Sequence, residues 1–262
     1  MIELLNLTLM GLSLAAWVGV AVWLRRQSWE RVWDWLTATD PVCFSVPAVL
    51  LLWVATYAAS AMLAEAIMGV PAPKSAEALV SYALVLLIQL AACLAIVTQW
   101  PGFRPRDLGM APDNWRVDLV VGAAGYLAAL VPVSLLAQPF LEEMKDRPHA
   151  LIELLRSDSS ASTRMLACLT AAVIVPLYEE FMFRVLLQGS LGAVLPRWAA
   201  ILVASAAFCA VHSYPDAIPL FPLALVLGIV YSVRKSYLAA VATHGLFNSV
   251  TLTFQLLFPD AV

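Results

Sequence analysis

Charge is what this sequence has least of. Asp, Glu, Lys and Arg supply 13% of the 262 residues against 62% apolar ones, where soluble domains carry about a quarter charged residues. With a mean hydropathy of +0.86, that scarcity excludes an ordinary soluble globule. A basic patch is missing too: the net charge is −3 and the cations are scattered through short loops, which argues against a nucleic-acid partner. No pair among Cys43, Cys93, Cys168 and Cys209 has metal-ligand spacing; in or beside apolar stretches such thiols act as small hydrophobes, and disulfides are not indicated. There is no repeat or low-complexity tract, so residues 1–262 read as one integral membrane domain. The first apolar run lacks a basic start and a small-residue cleavage site and ends in Arg25 and Arg26, so it reads as a retained helix rather than a secretory signal.

What is present is a series of apolar runs, each near the roughly 20 residues needed to cross hydrocarbon. They cover Glu3 to Leu24, Ser45 to Val70, Leu79 to Trp100, Leu119 to Gln138, Arg164 to Leu191, Trp198 to His212, Ile218 to Val233 and Tyr237 to Phe258. The expected fold is an all-α polytopic bundle of about eight transmembrane helices plus short interfacial ones. Trp29, Val32, Trp33 and Leu36 fall at i, i+3, i+4, i+7 spacing behind a capping Ser28. That spacing predicts an interfacial helix with tryptophans at headgroup depth, or else a tryptophan face packed on neighbouring spans. Pro101, Pro105, Gly109 and Pro112 break the chain between the third and fourth runs into a surface connection. The stretch Phe140 to Ser160 is expected to rest on the membrane as a short amphipathic helix. Arg25, Arg26, Arg31, Arg104, Arg106, Arg116, Arg197, Arg234 and Lys235 fall on one side of the bundle. Lys74, Lys145, Arg147, Arg156 and Arg164 fall on the other, so the positive-inside rule favours both termini outside and leaves the orientation open. The setting expected is the cell membrane of a prokaryote.

Ionisable groups at bilayer depth cost about 2.5–3.5 kcal/mol each even on an insertion scale, so those that occur are informative. The fifth run carries Glu179, Glu180 and Arg184, with Pro176 loosening the helix just before them. Glu180 and Arg184 share a face and can pair, which leaves Glu179, rotated about 100° away, as the working carboxylate. The sixth run ends in His212, with Phe208 one turn earlier to pack beneath the imidazole or wall the site. The eighth presents His244 and Asn248 on one face, with Gly245 between them permitting close approach of a helix or a substrate. Each element alone has a bland reading as interhelical glue; their combination points to chemistry, a base for water and donors for a developing oxyanion.

Glu179 to Arg184 (EEFMFR), Phe208 to His212 (FCAVH) and His244 to Asn248 (HGLFN) together resemble the three signature motifs of the CPBP family, which contains the CAAX prenyl endopeptidases and their bacterial relatives. All seven motif positions match, in order, on separate helices; the motif-bearing core is about 164–258, and the earlier spans resemble the family only in hydropathy and in the RDLGM loop. The resemblance implies a glutamate-dependent intramembrane endopeptidase with Glu179 activating water and His212 sharing that water. It further implies His244 and Asn248 at the oxyanion, Glu180 and Arg184 holding the site together, and Phe208 as a wall. The implied partners are a peptide or protein substrate at the membrane and the lipid bilayer, with no cofactor. Two other readings stay open: a zinc metallopeptidase, although no HExxH pairing occurs, and a non-catalytic scaffold or small transporter with a polar pocket. The ending FPDAV has no prenylation cysteine.

Overall fold

Each apolar run becomes a helix in the computed structural model, which describes residues 2–40, 45–68, 75–101, 103–110, 114–146, 150–158 and 160–257 and is all-α. The first half comprises α1 (Ile2–Arg26), α2 (Trp29–Thr37), α3 (Val46–Met68), α4 (Ala76–Thr98) and α5 (Trp115–Ala137). After α5 come α6 (Leu141–Asp146) and α7 (Ala150–Ser157), then the long α8 (Ala161–Leu191). The chain closes with α9 (Arg197–Ala210), α10 (Leu220–Arg234) and α11 (Tyr237–Leu257). Cys43, Lys74, Arg147, Pro112 and the FPDAV ending lie outside the described residues.

Among the described residues, four helical stretches are long and apolar enough to cross a membrane: Leu7–Arg26, Ala76–Thr98, Trp115–Met144 and Ala161–Leu191. This is the pattern of a multi-pass membrane protein. The sequence predicts more spans, but Arg197–Ala210 and Leu220–Arg234 have 14 and 15 residues, short of the roughly 20 that hydrocarbon thickness requires. Their apolar runs extend into turns instead of helix.

Helix α8 is the centre of the bundle. Half of it is buried, against 6% of Leu7–Arg26; Phe181, Met182, Phe183 and Leu186 have no exposure, and they pack with Phe208, Leu223 and Leu227 from α9 and α10. Lipid gives little hydrophobic reward for such packing, so contact and hydrogen bonding must hold the helices together. The join between α1 and α5 illustrates how. Pro132 has no N–H for the Ala128 carbonyl one turn earlier, and Trp17 Nε1 donates to that carbonyl at 2.9 Å. Ser13 inserts beside it, accepting from Val131 N at 3.2 Å and donating to Leu127 O.

Helix α2 starts at the predicted cap, Ser28 accepting from Arg31 N at 3.3 Å. It buries none of its residues; Trp29 and Trp33 are 72% and 52% exposed, which favours the interfacial reading over tryptophans packed on other spans. The stretch after α5 departs from expectation: it forms two helices, and α7 buries Leu154 and Leu155 against Leu79, Ala167 and Leu252. It is seated on α4, α8 and α11 because its leucines find apolar side chains there. The RDLGM loop makes a tight turn (Pro105–Leu108) closed by Gly109 at φ 69°. A Cβ on Gly109 would lie 2.8 Å from Tyr237 N and 2.9 Å from Lys235 O, so only glycine lets this loop dock on the start of α11.

Candidate active site

Two π-helical stretches, Thr170–Ile174 and Phe181–Gln188, bracket Val175–Glu180 within α8. The first has a local cause. Pro176 cannot donate to Ala172, and the helix widens so that the Val175 N–H reaches Thr170. The Ala171 carbonyl thereby loses its α donor to Thr170, while its π donor would be residue 176, a proline. The loosening that Pro176 signals in the sequence is therefore a π turn, Thr170–Ile174, about one helical turn before the two glutamates.

Glu180 and Arg184 pair as predicted, with Nε donating to Oε2 at 3.1 Å and neither side chain exposed. The remaining oxygen, Oε1, holds His244 Nδ1 at 2.8 Å. A carboxylate paired with a guanidinium accepts only, so Nδ1 is the donor to Glu180 and the ring turns Nε2 to the other side. Nε2 lies 3.8 Å from Glu179 Oε2. Both carboxylates address one imidazole, one at each nitrogen. Two nitrogens on opposite edges of a ring can reach carboxylates rotated about 100° apart on another helix. Glu179 is the more open, its side chain 15% exposed against none for Glu180, and its Oε2 has no hydrogen-bond partner among the described residues.

His212 lies just beyond α9, which ends at Ala210 rather than at the predicted His212. The helix stops because its last turn is capped by a side chain: His212 Nδ1 sits 2.7 Å from Phe208 O, donating to an otherwise orphaned terminal carbonyl. That contact assigns the tautomer and leaves His212 Nε2 as an acceptor. Phe208 is fully buried, with ring centroids 4.6 Å from His212 and 5.8 Å from His244, and the Arg184 guanidinium carbon is 5.4 Å from its centroid. One phenyl ring thus touches both imidazoles and the arginine, and the expected wall is also the spacer that sets their separation.

Asn248 shares the His244 face of α11 but turns to the backbone: Nδ2 donates to Ala171 O at 2.9 Å, the carbonyl stranded by Pro176. Gly245 completes the docking. A Cβ there would lie 2.5 Å from Ala172 O, so of the two approaches that Gly245 permits in the sequence reading, the structure uses that of another helix. Thr243 ties the same helix to α5 through Gly122 O at 3.0 Å.

A polar string beside the glutamates is absent from the sequence reading. Tyr178 OH and Ser60 Oγ are 3.1 Å apart, and Ser60 donates to Gln89 Oε1 at 2.7 Å; since Ser60 has one proton, Tyr178 is the donor to it. Tyr57 and Trp53 from α3 stack around Tyr178 and Phe183. Ser60 and Gln89 sit in long apolar runs as isolated polar residues, and that isolation is the signal that could have marked them. Among the described residues, no three His, Cys, Asp or Glu side chains come together as a metal-ligand set.

Residues 160–250 match the family model described as Type II CAAX prenyl endopeptidase Rce1-like. The segment contains Glu179, Glu180, Arg184, Phe208, His212, His244 and Asn248, so the resemblance read from the three motifs is shown over that part of the chain. No curated protein and no solved structure matches the chain.

Proposed function

We propose that this chain is an intramembrane endopeptidase, a bundle of about eight membrane spans in a prokaryotic cell membrane, that cuts a peptide bond of a membrane-associated peptide or protein. The observation carrying this reading is His244, clamped through Nδ1 by the Glu180–Arg184 pair with Nε2 turned to Glu179 at 3.8 Å. The match of residues 160–250 to a prenyl endopeptidase family supports it, and a prenylated tail is one substrate class consistent with that match. Helices α9 and α10 span by local thinning of the bilayer and snorkelling of their flanking residues.

Two polar atoms 3.8 Å apart can both reach one water at about 2.8 Å. In the proposed reaction Glu179 takes a proton from that water as its oxygen attacks the scissile carbonyl carbon. His212 Nε2, free to accept because Nδ1 is committed to Phe208 O, takes a hydrogen bond from the second O–H of that water and orients the nucleophile, and this proton stays on the attacking oxygen. The oxyanion is met by His244, protonated on Nε2 and charge-supported by Glu180, and by the second N–H of Asn248; the first is held by Ala171. Loss of one such donor typically slows a reaction about a hundredfold to a thousandfold. Glu179 then passes its proton to the leaving amine nitrogen as the C–N bond breaks, and both products are neutralised without any other co-reactant.

The test compares peptides in membranes carrying the native chain and the Glu179→Gln form. The native membranes should contain cleaved fragments, and the variant the same partner uncut and co-purifying. Identical peptide patterns in the two membranes would remove the proposal.

A further inference from the structure

Away from the glutamates, on the side of the bundle where basic residues predominate, a second polar cavity of about 250 Å³ opens among Asp40, Arg106, Gln188, Arg197, Tyr231 and Lys235. Three cations and one carboxylate line it. Asp40 is already neutralised: its Oδ1 lies 2.6 Å from Lys235 Nζ and 2.8 Å from Arg197 Nη2, and Arg197 Nε adds a bond at 3.2 Å. Arg197 and Lys235 bring two positive charges to that one carboxylate, so the surplus is positive without counting Arg106, and the ligand it fits is an anion.

The cavity is built rather than incidental. Arg197 is 8% exposed and anchored by the Trp35 carbonyl, with its guanidinium carbon 4.8 Å from the Trp35 centroid. Lys235 has φ 50° and ψ 43°, the left-handed region where a helix usually ends in glycine. A lysine held there accepts backbone strain, and its ammonium is delivered into this cavity beside Asp40. Gly109 packs on the same turn and brings the loop that carries Arg106 to the rim.

Depth identifies the source of the anion. Asp40, Arg106, Arg197 and Lys235 each sit in a connection or at a helix terminus on one side of the bundle, and Trp35 belongs to the interfacial helix whose Trp29 and Trp33 face outward. Tryptophans and cations at one level mark headgroup depth, where phosphodiesters are the dominant anions and basic pockets between helices select them. The volume lies below the ~300–1,000 Å³ of ordinary small-molecule sites, which suits a headgroup with its acyl chains left outside.

We propose that this cavity binds the phosphate group of an anionic phospholipid from the adjoining leaflet. The site rests on the membrane setting and not on peptidase activity, so it stands or falls separately from the role given to Glu179.

The experiment reconstitutes the full chain in phosphatidylcholine nanodiscs, titrates phosphatidylglycerol and counts retained lipid by native mass spectrometry. Arg106→Gln and Lys235→Gly each remove one cation, and glycine at 235 suits the left-handed turn; Arg26→Gln removes a cation on the same side outside the cavity lining. Native protein should prefer phosphatidylglycerol, each cavity variant should lose about fivefold of that preference, and Arg26→Gln should keep it. Equal loss in Arg26→Gln, or no preference in native protein, overturns the site. Inorganic phosphate added to purely phosphatidylcholine discs should leave the melting temperature unchanged; a rise abolished by Lys235→Gly would overturn the lipid as the source and assign the cavity to free phosphate. Melting of every variant separates loss of the site from loss of the fold.

Discussion

Asn248 donates its side-chain amide to the Ala171 carbonyl at 2.9 Å, and Pro176 is the reason that carbonyl is available. A residue of the third motif thereby repairs a backbone defect introduced three residues before the first. The same device recurs where Trp17 meets the carbonyl that Pro132 leaves open. Removing the repair should orphan a partly buried acceptor, at a cost up to the about 1–3 kcal/mol of a fully buried one. Asn248→Ala is expected to lower the melting temperature in nanodiscs, and to lower it less in a Pro176→Ala background, where a regular α-helical ladder can satisfy Ala171 internally. Equal effects in both backgrounds would show that the two residues are not coupled.

The two glutamates should part company in a stability measurement. Glu180→Gln leaves Arg184 charged, buried and without its carboxylate, a change that costs about 3–5 kcal/mol when a buried pair is broken. Glu179 Oε2 has no hydrogen bond to lose among the described residues, so Glu179→Gln should melt near the native temperature. Thermal unfolding of both variants decides the matter; a Glu179→Gln form as unstable as Glu180→Gln would make Glu179 a structural residue.

Much of the site is legible in the sequence because helical spacing is local. The pairing of Glu180 with Arg184, the stacking of Phe208 on His212 and the shared face of His244 and Asn248 all follow from i, i+4 geometry. Register between helices is not local. His244 finds Glu180 across 64 residues, and Asn248 finds a carbonyl rather than a side chain, both through a π turn that adds a residue to the helical period. Pro176 announces a disturbance in α8 without saying which carbonyls it frees. The cavity at Asp40 was out of reach for the same reason: its charged residues come from four separate connections or helix ends, and the positive-inside count records their side of the membrane but not their convergence. The short helices α9 and α10 show the remaining limit, since hydropathy carries on through turns that end a helix.

Gly245 is a point where packing and turnover should be linked. A methyl group 2.5 Å from Ala172 O cannot be accommodated by backbone, so Gly245→Ala must push α11 away from α8 and carry His244 with it. A displacement near 1 Å at a reacting group can cost about a hundredfold in rate. Turnover measured under saturating substrate should fall by about that factor while the helix content by circular dichroism stays native; turnover within a few-fold of native would mean that the His244 position is not critical.

Acid should reveal the Asp40 cluster. Burial pushes its carboxyl up, but the hydrogen bonds and charges of Arg197 and Lys235 outweigh burial and hold it below the ordinary carboxylate range. A group whose folded value is depressed contributes stability above its unfolded value, about 3.9 for Asp, and that contribution fades as pH falls through the lower folded value. Native protein should therefore melt progressively earlier as pH drops below about 4, and Asp40→Asn, already less stable at neutral pH, should show a flatter acid limb. The two melting curves should converge in strong acid, because a protonated Asp40 no longer attracts Arg197 and Lys235 as a carboxylate does. A gap of constant size at every pH would mean that Asp40 acts through shape or neutral hydrogen bonding, and that its charge does not hold α2, α9 and the turn before α11 together.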